Sequence, residues 1–180
     1  MPIENSTEGL VNSTLDEIIE RNLKICSEIS IPINLSLISK KNIALSSIKT
    51  IFAHSQAFAQ SQSWMSKNLP KAVKKDVTSN SQGVLQSKRT NYSAAIASTE
   101  AAKKYNMKVL KRNIQDYKNN KTRFIIVGNH DVSATQEDKT SISIITKNKS
   151  GALSDILEKF KDQKINLTNI QSRPTKKNNW

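Results

Sequence analysis

The sequence has only one cysteine, Cys26, and two histidines. A single cysteine cannot form an intrachain disulfide, and no group of cysteines and histidines has the spacing of a metal site. No apolar stretch is long enough to span a membrane, and no charged segment followed by an apolar one marks a secretory signal. These absences exclude a disulfide scaffold and a zinc domain. They predict a cytoplasmic protein without a metal site or a membrane anchor.

Aromatic residues are also scarce, at 5% of the 180 residues, although the net charge is +13. Such a charge is typical of proteins that bind nucleic acid. However, lysine outnumbers arginine by 23 to 5, and the lysines are scattered along the chain. No basic run is interleaved with aromatic residues that could stack on bases. We therefore expect no nucleic-acid partner.

A polar turn followed by an apolar run occupies residues 120–128, which read Asn-Lys-Thr-Arg-Phe-Ile-Ile-Val-Gly. β-Branched and aromatic residues bounded by turn formers predict a buried strand. Thr122 and Arg123 lie at its start, where side chains can point into a cleft. Because side chains alternate along a strand, Phe124 should share the face of Thr122 and Arg123 should face the other way.

The rest of the first 128 residues alternates between strand and helix patterns, which predicts an α/β fold with helices packed on an open sheet. The predicted helices cover 13–22, with a capping box formed by Thr14 and Glu17, then 54–67, 80–87 and 99–105. The predicted strands cover 24–38, with a kink at Pro32, then 48–53, 71–76 and 94–97.

The last 50 residues follow a different pattern. Residues 129–138 are polar and without periodicity, which predicts a linker. Residues 140–146 and 165–173 are predicted strands, and an amphipathic helix is predicted to begin at Gly151. This part of the chain therefore has a β-α-β pattern.

Seven short segments, taken in order, resemble the signature segments of the prephenate dehydratase family with its appended ACT regulatory domain. They are residues 2–9, 53–60 and 95–102 before the Thr-Arg-Phe run at 122–124, and residues 139–141, 151–153, 165–168 and 171–174 after it. The resemblance implies a catalytic domain like a type II periplasmic binding protein, with two lobes and the substrate between them. It divides the chain into a partial catalytic domain over 1–128, a linker over 129–138 and a partial ACT domain of the βαββαβ type over 139–180.

The resemblance also implies that the chain is incomplete at both ends, so that the polypeptide alone would be nearly inactive. The implied reaction converts prephenate to phenylpyruvate with loss of water and carbon dioxide, in L-phenylalanine biosynthesis. It needs no cofactor. The complete protein would be a homo-oligomer. Two alternatives stay open: a fragment of a bifunctional chorismate mutase/prephenate dehydratase, and a non-catalytic amino-acid-binding remnant.

Site residues follow from the resemblance. Thr122 corresponds to the catalytic threonine, as a positioned hydrogen-bond donor to the leaving hydroxyl. The implied substrate-binding residues are Glu4, Asn5, Ser6, His54, Gln56, Gln60, Thr99 and Phe124. From the residues alone, Thr122 could instead be an ordinary strand-edge threonine, Asn5 and Ser6 could be turn formers, and His54 could be a helix cap.

The second part would bind L-phenylalanine as an allosteric effector. The implied effector-binding residues are Gly151, Ala152, Leu153, Gln171, Ser172, Arg173 and Pro174. Gly151 suits a helix N-terminus whose free N–H groups face a carboxylate. Gln171 stands where the family motif has glutamate, which removes a charge that could bind the ammonium of the effector.

Overall fold

The computed structural model describes residues 1–7, 9–135 and 137–173 of the chain. The chain divides into two compact units, Met1–Val132 and Ser133–Trp180. The strands, in chain order, are β1 (Pro2–Asn5), β2 (Gly9–Leu10), β3 (Lys24–Pro32), β4 (Ser36–Ser39), β5 (Thr50–Ala53), β6 (Val73–Asp76), β7 (Ser93–Ala97), β8 (Lys108–Lys111) and β9 (Lys121–Gly128). The α-helices are α1 (Asn12–Glu20), α2 (Ser55–Ala59), α3 (Gln62–Asn68), α4 (Asn80–Arg89), α5 (Thr99–Lys104) and α6 (Ala152–Asp162).

The first unit contains an antiparallel sheet in the order β2-β1-β9-β3. Strand β9 lies inside this sheet, and Thr122 is the register partner of Asn5 on β1 and of Ile31 on β3. The predicted strand therefore forms, but it is less buried than the apolar run suggested. Ile125 is 3% exposed, whereas its neighbour Ile126 is 53% exposed, so one face of β9 is packed and the other is open over part of its length.

The first unit also contains a mixed sheet in the order β6-β5-β7-β4-β8. Strand β5 runs parallel to β6 and β7, and β4 runs antiparallel to β7 and β8. All five residues of β7 are buried. Ile96 belongs to one core cluster, and its neighbour Ala95 belongs to another. Alternate residues thus pack on opposite faces, which confirms a sheet covered on both sides as in an α/β fold.

The single long strand predicted over 24–38 is wrong, because the segment forms two strands in different sheets. β3 ends at Pro32, which has no N–H to donate to a ladder. The next residues bond elsewhere: the N–H of Ile33 donates to the carbonyl of Asn120 at 2.9 Å, and that of Leu35 donates to Oε1 of Gln115 at 3.0 Å. The alternating apolar residues continue through this crossing, although β4 is buried on both faces, with Leu37 and Ile38 in different core clusters.

Two helix predictions also need correction. Helix α1 begins at Asn12 with Val11 at its N-cap and no side-chain cap, so Thr14 lies inside the helix, where it is buried. The one helix predicted over 54–67 is two, α2 and α3. The Asp116 carboxylate accepts the N–H groups of Ser63 at 2.9 Å and Trp64 at 3.0 Å, and thereby starts a new helix. That acceptor comes from 53 positions away in the chain.

In the second unit the predicted helix is confirmed as α6, and Gly151 precedes it with a φ of +81°, a left-handed conformation that favours glycine. The strands predicted over 140–146 and 165–173 are wrong for the residues described here, since neither segment belongs to a β-ladder. Alternating residues form a strand only when another strand accepts and donates their backbone hydrogen bonds. Within the described part of this unit, no such partner is present.

Candidate functional site

A cleft of about 150 Å³ lies in the first unit. It takes side chains from β1, β9, α2, the start of α4 and the crossing between β3 and β4. The lining residues are Asn5, Ile33, Leu35, Gln56, Ala57, Gln60, Asn80 and Thr122. The lining is therefore a set of neutral amides and one hydroxyl beside an aliphatic wall. No lysine or arginine belongs to this lining, so a bound anion would be held by neutral donors.

Thr122 and Asn5 meet in this cleft because they are register partners on antiparallel strands. Nδ2 of Asn5 donates to Oγ1 of Thr122 at 2.9 Å. The backbone N–H of Thr7 donates to Oδ1 of Asn5 at 2.9 Å, which identifies the oxygen end of that amide. The Thr122 oxygen thus accepts from Asn5, and its own hydroxyl proton has no acceptor among the described residues.

Arg123 lies on the other face of β9, as strand alternation predicts. Its guanidinium bonds the carboxylates of Glu4 at 3.2 Å and Glu28 at 3.1 Å. Glu4 was expected to bind substrate, but it lies outside the cleft and its carboxylate is held by Arg123. The reason is again alternation, because Glu4 and Asn5 are neighbours on β1 and point to opposite faces.

Ser6, also expected to bind substrate, lies outside the cleft. Its hydroxyl accepts the N–H of Lys121 at 2.9 Å and donates to the carbonyl of Asn119 at 3.3 Å. The side chain therefore joins the turn after β1 to the turn before β9. Its position fixes the backbone on which Asn5 and Thr122 stand.

Gln56 on α2 and Gln60 at its C-cap both line the cleft, one turn apart on the same face, as the sequence predicted. His54 takes the cap position. Its Nδ1 accepts the N–H of Gln56 at 3.2 Å, so the structure supports the helix-cap interpretation of this histidine. His54 does not line the cleft.

Asn80 lines the cleft and was not predicted. Its Oδ1 accepts the backbone N–H of His54 at 3.0 Å, which leaves the two N–H donors of Nδ2 for a ligand. Ser79, directly before it, caps α4 by accepting the N–H of Gln82 at 3.1 Å. The helix-start pattern of these residues was the available signal. The aliphatic wall of Ile33, Leu35 and Ala57 was missed as well, because apolar residues look the same in a core and in a cleft.

Two further predicted residues lie elsewhere. The Thr99 hydroxyl donates to the carboxylate of Glu100 at 2.9 Å at the start of α5. A hydrogen bond from the backbone N–H of Glu100, followed by the one from Thr99, lowers the pKa of that carboxylate. Phe124 is half-buried and shares the face of Thr122, but it is not part of the lining.

The residues expected to bind an effector are in the second unit. Gly151, Ala152 and Leu153 form the start of α6, where Leu153 is 54% exposed. Gln171 and Ser172 are exposed, and Arg173 is half-buried. Pro174 lies outside the described residues. The structure does not show these two groups forming a common pocket.

The part of the chain that the structure describes holds no cluster of three or more histidine, cysteine, aspartate or glutamate residues that could bind a metal ion. None of its helices is both long and apolar enough to cross a membrane. The residues that line the cleft offer hydrogen bonding by a hydroxyl and several carboxamides. Such a set can hold carboxylates and polarise a leaving hydroxyl group.

Comparison with known proteins identifies the family of this chain. A family model described as prephenate dehydratase matches residues 1–132. The chain is 41% identical over 180 residues to a bifunctional chorismate mutase/prephenate dehydratase of Aquifex aeolicus, covering 100% of this chain and 49% of that protein. It is 38% identical over 182 residues to a prephenate dehydratase of Methanocaldococcus jannaschii, covering 98% of this chain and 65% of the relative.

Among solved structures, the fold is similar to that of a prephenate dehydratase from Arthrobacter aurescens in complex with L-Phe. The TM-score is 0.80 at 33% identity, over 97% of this chain and 60% of that one. The α/β fold with mixed sheets thus matches that of a solved prephenate dehydratase. The chain belongs to the prephenate dehydratase family. It spans about half the length of the bifunctional relative from Aquifex aeolicus.

Proposed function

We propose that this chain carries catalytic residues of a prephenate dehydratase, which converts prephenate to phenylpyruvate. In that reaction the bond from the ring to the hydroxyl oxygen breaks, and so does the bond from the ring carbon to the departing carboxylate. The electron pair released by loss of carbon dioxide makes the ring aromatic. The hydroxyl leaves and, with one proton, becomes water. Aromatisation supplies a large driving force, so the protein has to hold the dianion and assist the leaving group.

In this proposal Thr122 assists the leaving group. A threonine hydroxyl is a weak acid, so its role is to donate a hydrogen bond to the leaving oxygen as negative charge develops there, with the proton finally replaced from solvent. The single observation that supports this role is the 2.9 Å bond from Asn5 to Thr122. It uses the threonine oxygen as an acceptor and leaves the hydroxyl proton for a group in the cleft.

The neutral amides would bind the substrate carboxylates. Gln56, Gln60 and Asn80 lie on two helices that border the cleft, and the Nδ2 group of Asn80 has both of its hydrogens available. Ile33, Leu35 and Ala57 would pack against the carbocyclic ring. Prephenate, the substrate in the description of the family, is a dianion with one ring. Such a molecule fits a cleft that has hydrogen-bond donors and an aliphatic wall.

The proposal includes the fold-level details that the resemblance implies. The first unit would correspond to part of a catalytic domain of the type II periplasmic-binding-protein kind, and the second unit to part of an ACT domain that binds L-phenylalanine. Support for the second point comes from the Arthrobacter aurescens structure, which was determined with L-Phe. A cytoplasmic location and assembly into a homo-oligomer belong to the same proposal.

The test is formation of phenylpyruvate by the purified chain, at the low rate that the resemblance implies for this chain alone. Prephenate is added, and the product is followed by its absorbance in alkali, with Thr122→Val as the variant and Thr122→Ser as the control that keeps a hydroxyl. Turnover by the wild type that falls in the valine variant and persists in the serine variant supports the proposal. Equal rates in all three proteins would contradict it.

A second candidate is a non-catalytic protein that binds an amino acid. The observation that favours it is the match of the second unit to a relative solved with L-Phe. Thermal unfolding with and without L-phenylalanine separates the two functions. A rise in Tm with L-phenylalanine but no conversion of prephenate would favour this candidate.

A further inference from the structure

Asn120 lies directly before β9 and is 2% exposed, yet it does not line the cleft. Its Oδ1 accepts the amide Nδ2 of Asn5 at 3.0 Å. Its own Nδ2 is buried without a hydrogen-bond partner among the described residues. A half-satisfied buried amide destabilises a fold, so it calls for a physical reason. The position of its oxygen offers one.

Asn5 shows what that oxygen does. The two hydrogens of its Nδ2 group go to Oδ1 of Asn120 at 3.0 Å and Oγ1 of Thr122 at 2.9 Å. Its Oδ1 accepts the N–H of Thr7 at 2.9 Å and the Thr7 hydroxyl at 2.5 Å. Because the backbone N–H of Thr7 fixes the oxygen end, the amide is not free to rotate by half a turn. Both of its donors are therefore used inside the protein.

This arrangement changes the role expected for Asn5. Its amide hydrogens are both committed, so it orients Thr122 rather than binding a substrate carboxylate. Asn120 in turn favours this orientation of Asn5, because its Oδ1 is an acceptor and bonds the Asn5 amide only through the nitrogen end. The hydroxyls of Thr7 and Ser6 lie farther from the same oxygen, at 3.3 and 3.5 Å. The backbone carbonyl of Asn120 also accepts the N–H of Ile33 at 2.9 Å, so the same residue holds a wall of the cleft.

We infer that Asn120 is a positioning residue for Thr122: it holds the Asn5 amide so that the Thr122 hydroxyl accepts on one side and presents its proton to the cleft. The effect of this positioning on catalysis rests on the proposed function. The positioning itself, from Asn120 through Asn5 to Thr122, does not depend on that function. The experiment therefore has one arm for geometry and one for turnover.

The geometric arm uses the chain labelled with ¹⁵N-asparagine, with the Asn5 amide signals assigned by their loss in Asn5→Gln. Wild type should show two well-separated Asn5 amide protons that exchange slowly with solvent. Asn120→Leu should shift them and speed their exchange. The matched control is Asn119→Leu, at the exposed neighbouring position, where only the backbone carbonyl bonds Ser6. Asn5 signals that superimpose in wild type and Asn120→Leu would overturn the inference.

Asn120→Asp is the second variant for the geometric arm, and it is used if Asn120→Leu does not fold. It keeps an acceptor oxygen at the same place and replaces the unpartnered nitrogen with a second carboxylate oxygen, which also adds a negative charge. We expect the Asn5 amide pair to keep its separation and slow exchange in this variant. Fast exchange of that pair in folded Asn120→Asp would overturn the inference, because an acceptor at position 120 would then be insufficient to hold Asn5.

The kinetic arm is a double-mutant cycle of Asn120→Leu with Thr122→Val. We expect Asn120→Leu to lower kcat about tenfold or more with little change in KM, as expected when a reacting group is misplaced. In the Thr122→Val background, the same change should lower kcat no further. Additive losses, or a loss that appears only in KM, would overturn the inference. If the wild-type chain shows no turnover, the proposed function is refuted. The geometric arm then tests by itself whether Asn120 positions Asn5 and Thr122.

Discussion

Nδ2 of Asn5 and Oγ1 of Thr122 lie 2.9 Å apart, although 117 positions separate the two residues in the sequence. Antiparallel pairing of β1 with β9 makes them register partners and brings both side chains to one face. Taken alone, each residue is of a type that is common in strands or turns. Together they give Thr122 a hydroxyl whose oxygen already accepts a hydrogen bond from Asn5 and whose proton is available to a ligand.

Thr122→Val is expected to lower dehydratase turnover by about a hundredfold or more, which is the usual size of a lost positioned donor. It should also destabilise the fold by about 1 kcal/mol, since it leaves an amide hydrogen of Asn5 without an acceptor. Steady-state kinetics and urea unfolding measure the two effects. Thr122→Ser restores the acceptor and should recover most of both. A valine variant with wild-type kcat would exclude the donor role.

Asn80→Asp is expected to weaken prephenate binding. The aspartate keeps an oxygen for the N–H of His54 but replaces the two amide donors with a negative charge that faces a dianion. Losing these donors should raise KM by roughly tenfold or more, with a smaller effect on kcat. Calorimetric titration with prephenate gives the affinity directly. Asn91→Asp, at an exposed position outside the cleft lining, is the matched control for the added charge. Equal affinities in the two variants would remove Asn80 from the site.

Arg123→Met should affect stability rather than substrate binding. Its guanidinium bonds Glu4 and Glu28 on the face of β9 opposite Thr122, and the partly exposed position limits the contribution of each pair to about 1 kcal/mol or less. The wild-type Tm should fall with added salt more than that of the variant. Prephenate affinity should stay the same. A large rise in KM would show that Arg123 contacts the substrate after all.

Gly83→Ala should destabilise the first unit. A Cβ at this position would lie 2.9 Å from the carbonyl oxygen of Phe52 and 3.3 Å from Cγ2 of Val77, closer than packed atoms tolerate. The helix would have to move away from β5, at a cost of about 1–3 kcal/mol. Ser81→Ala, in the same helix at an exposed position, is the control and should be nearly neutral. Denaturant unfolding distinguishes them, and matching midpoints would contradict the close approach.

The sequence predicted most of the secondary structure around the site, and the reasons are local. Helix starts at Ser79 and Ser98 follow from hydroxyls that cap N–H groups three residues on. The capping box predicted at Thr14 is wrong, because helix α1 begins earlier than its polar residues suggested. Thr14 therefore lies inside the helix, where it is buried.

Where the prediction from the sequence failed, hydrogen bonds to residues far away in the chain determined the secondary structure. Residues 29–37 alternate without interruption, yet the chain passes from one sheet to another within them, because Asn120 and Gln115 accept the backbone N–H groups of Ile33 and Leu35. The helix over 54–67 is divided by the carboxylate of Asp116. The helix-start pattern at Ser79 and Asn80 did not show that Asn80 lines the cleft, since that position depends on packing against α2 and β9 residues far away in the chain.

By itself, the sequence determined which face of β9 carries Thr122 and which carries Arg123, because side-chain alternation is a property of any extended backbone. It also determined the family, through short segments in a fixed order. Only the tertiary structure decided that Thr122 meets Asn5, that Asn120 holds that amide in place, and that Glu4 is bound to Arg123 instead of lining the cleft. Strand register and crossing depend on hydrogen bonds between residues far apart in the chain, and no local pattern contains them.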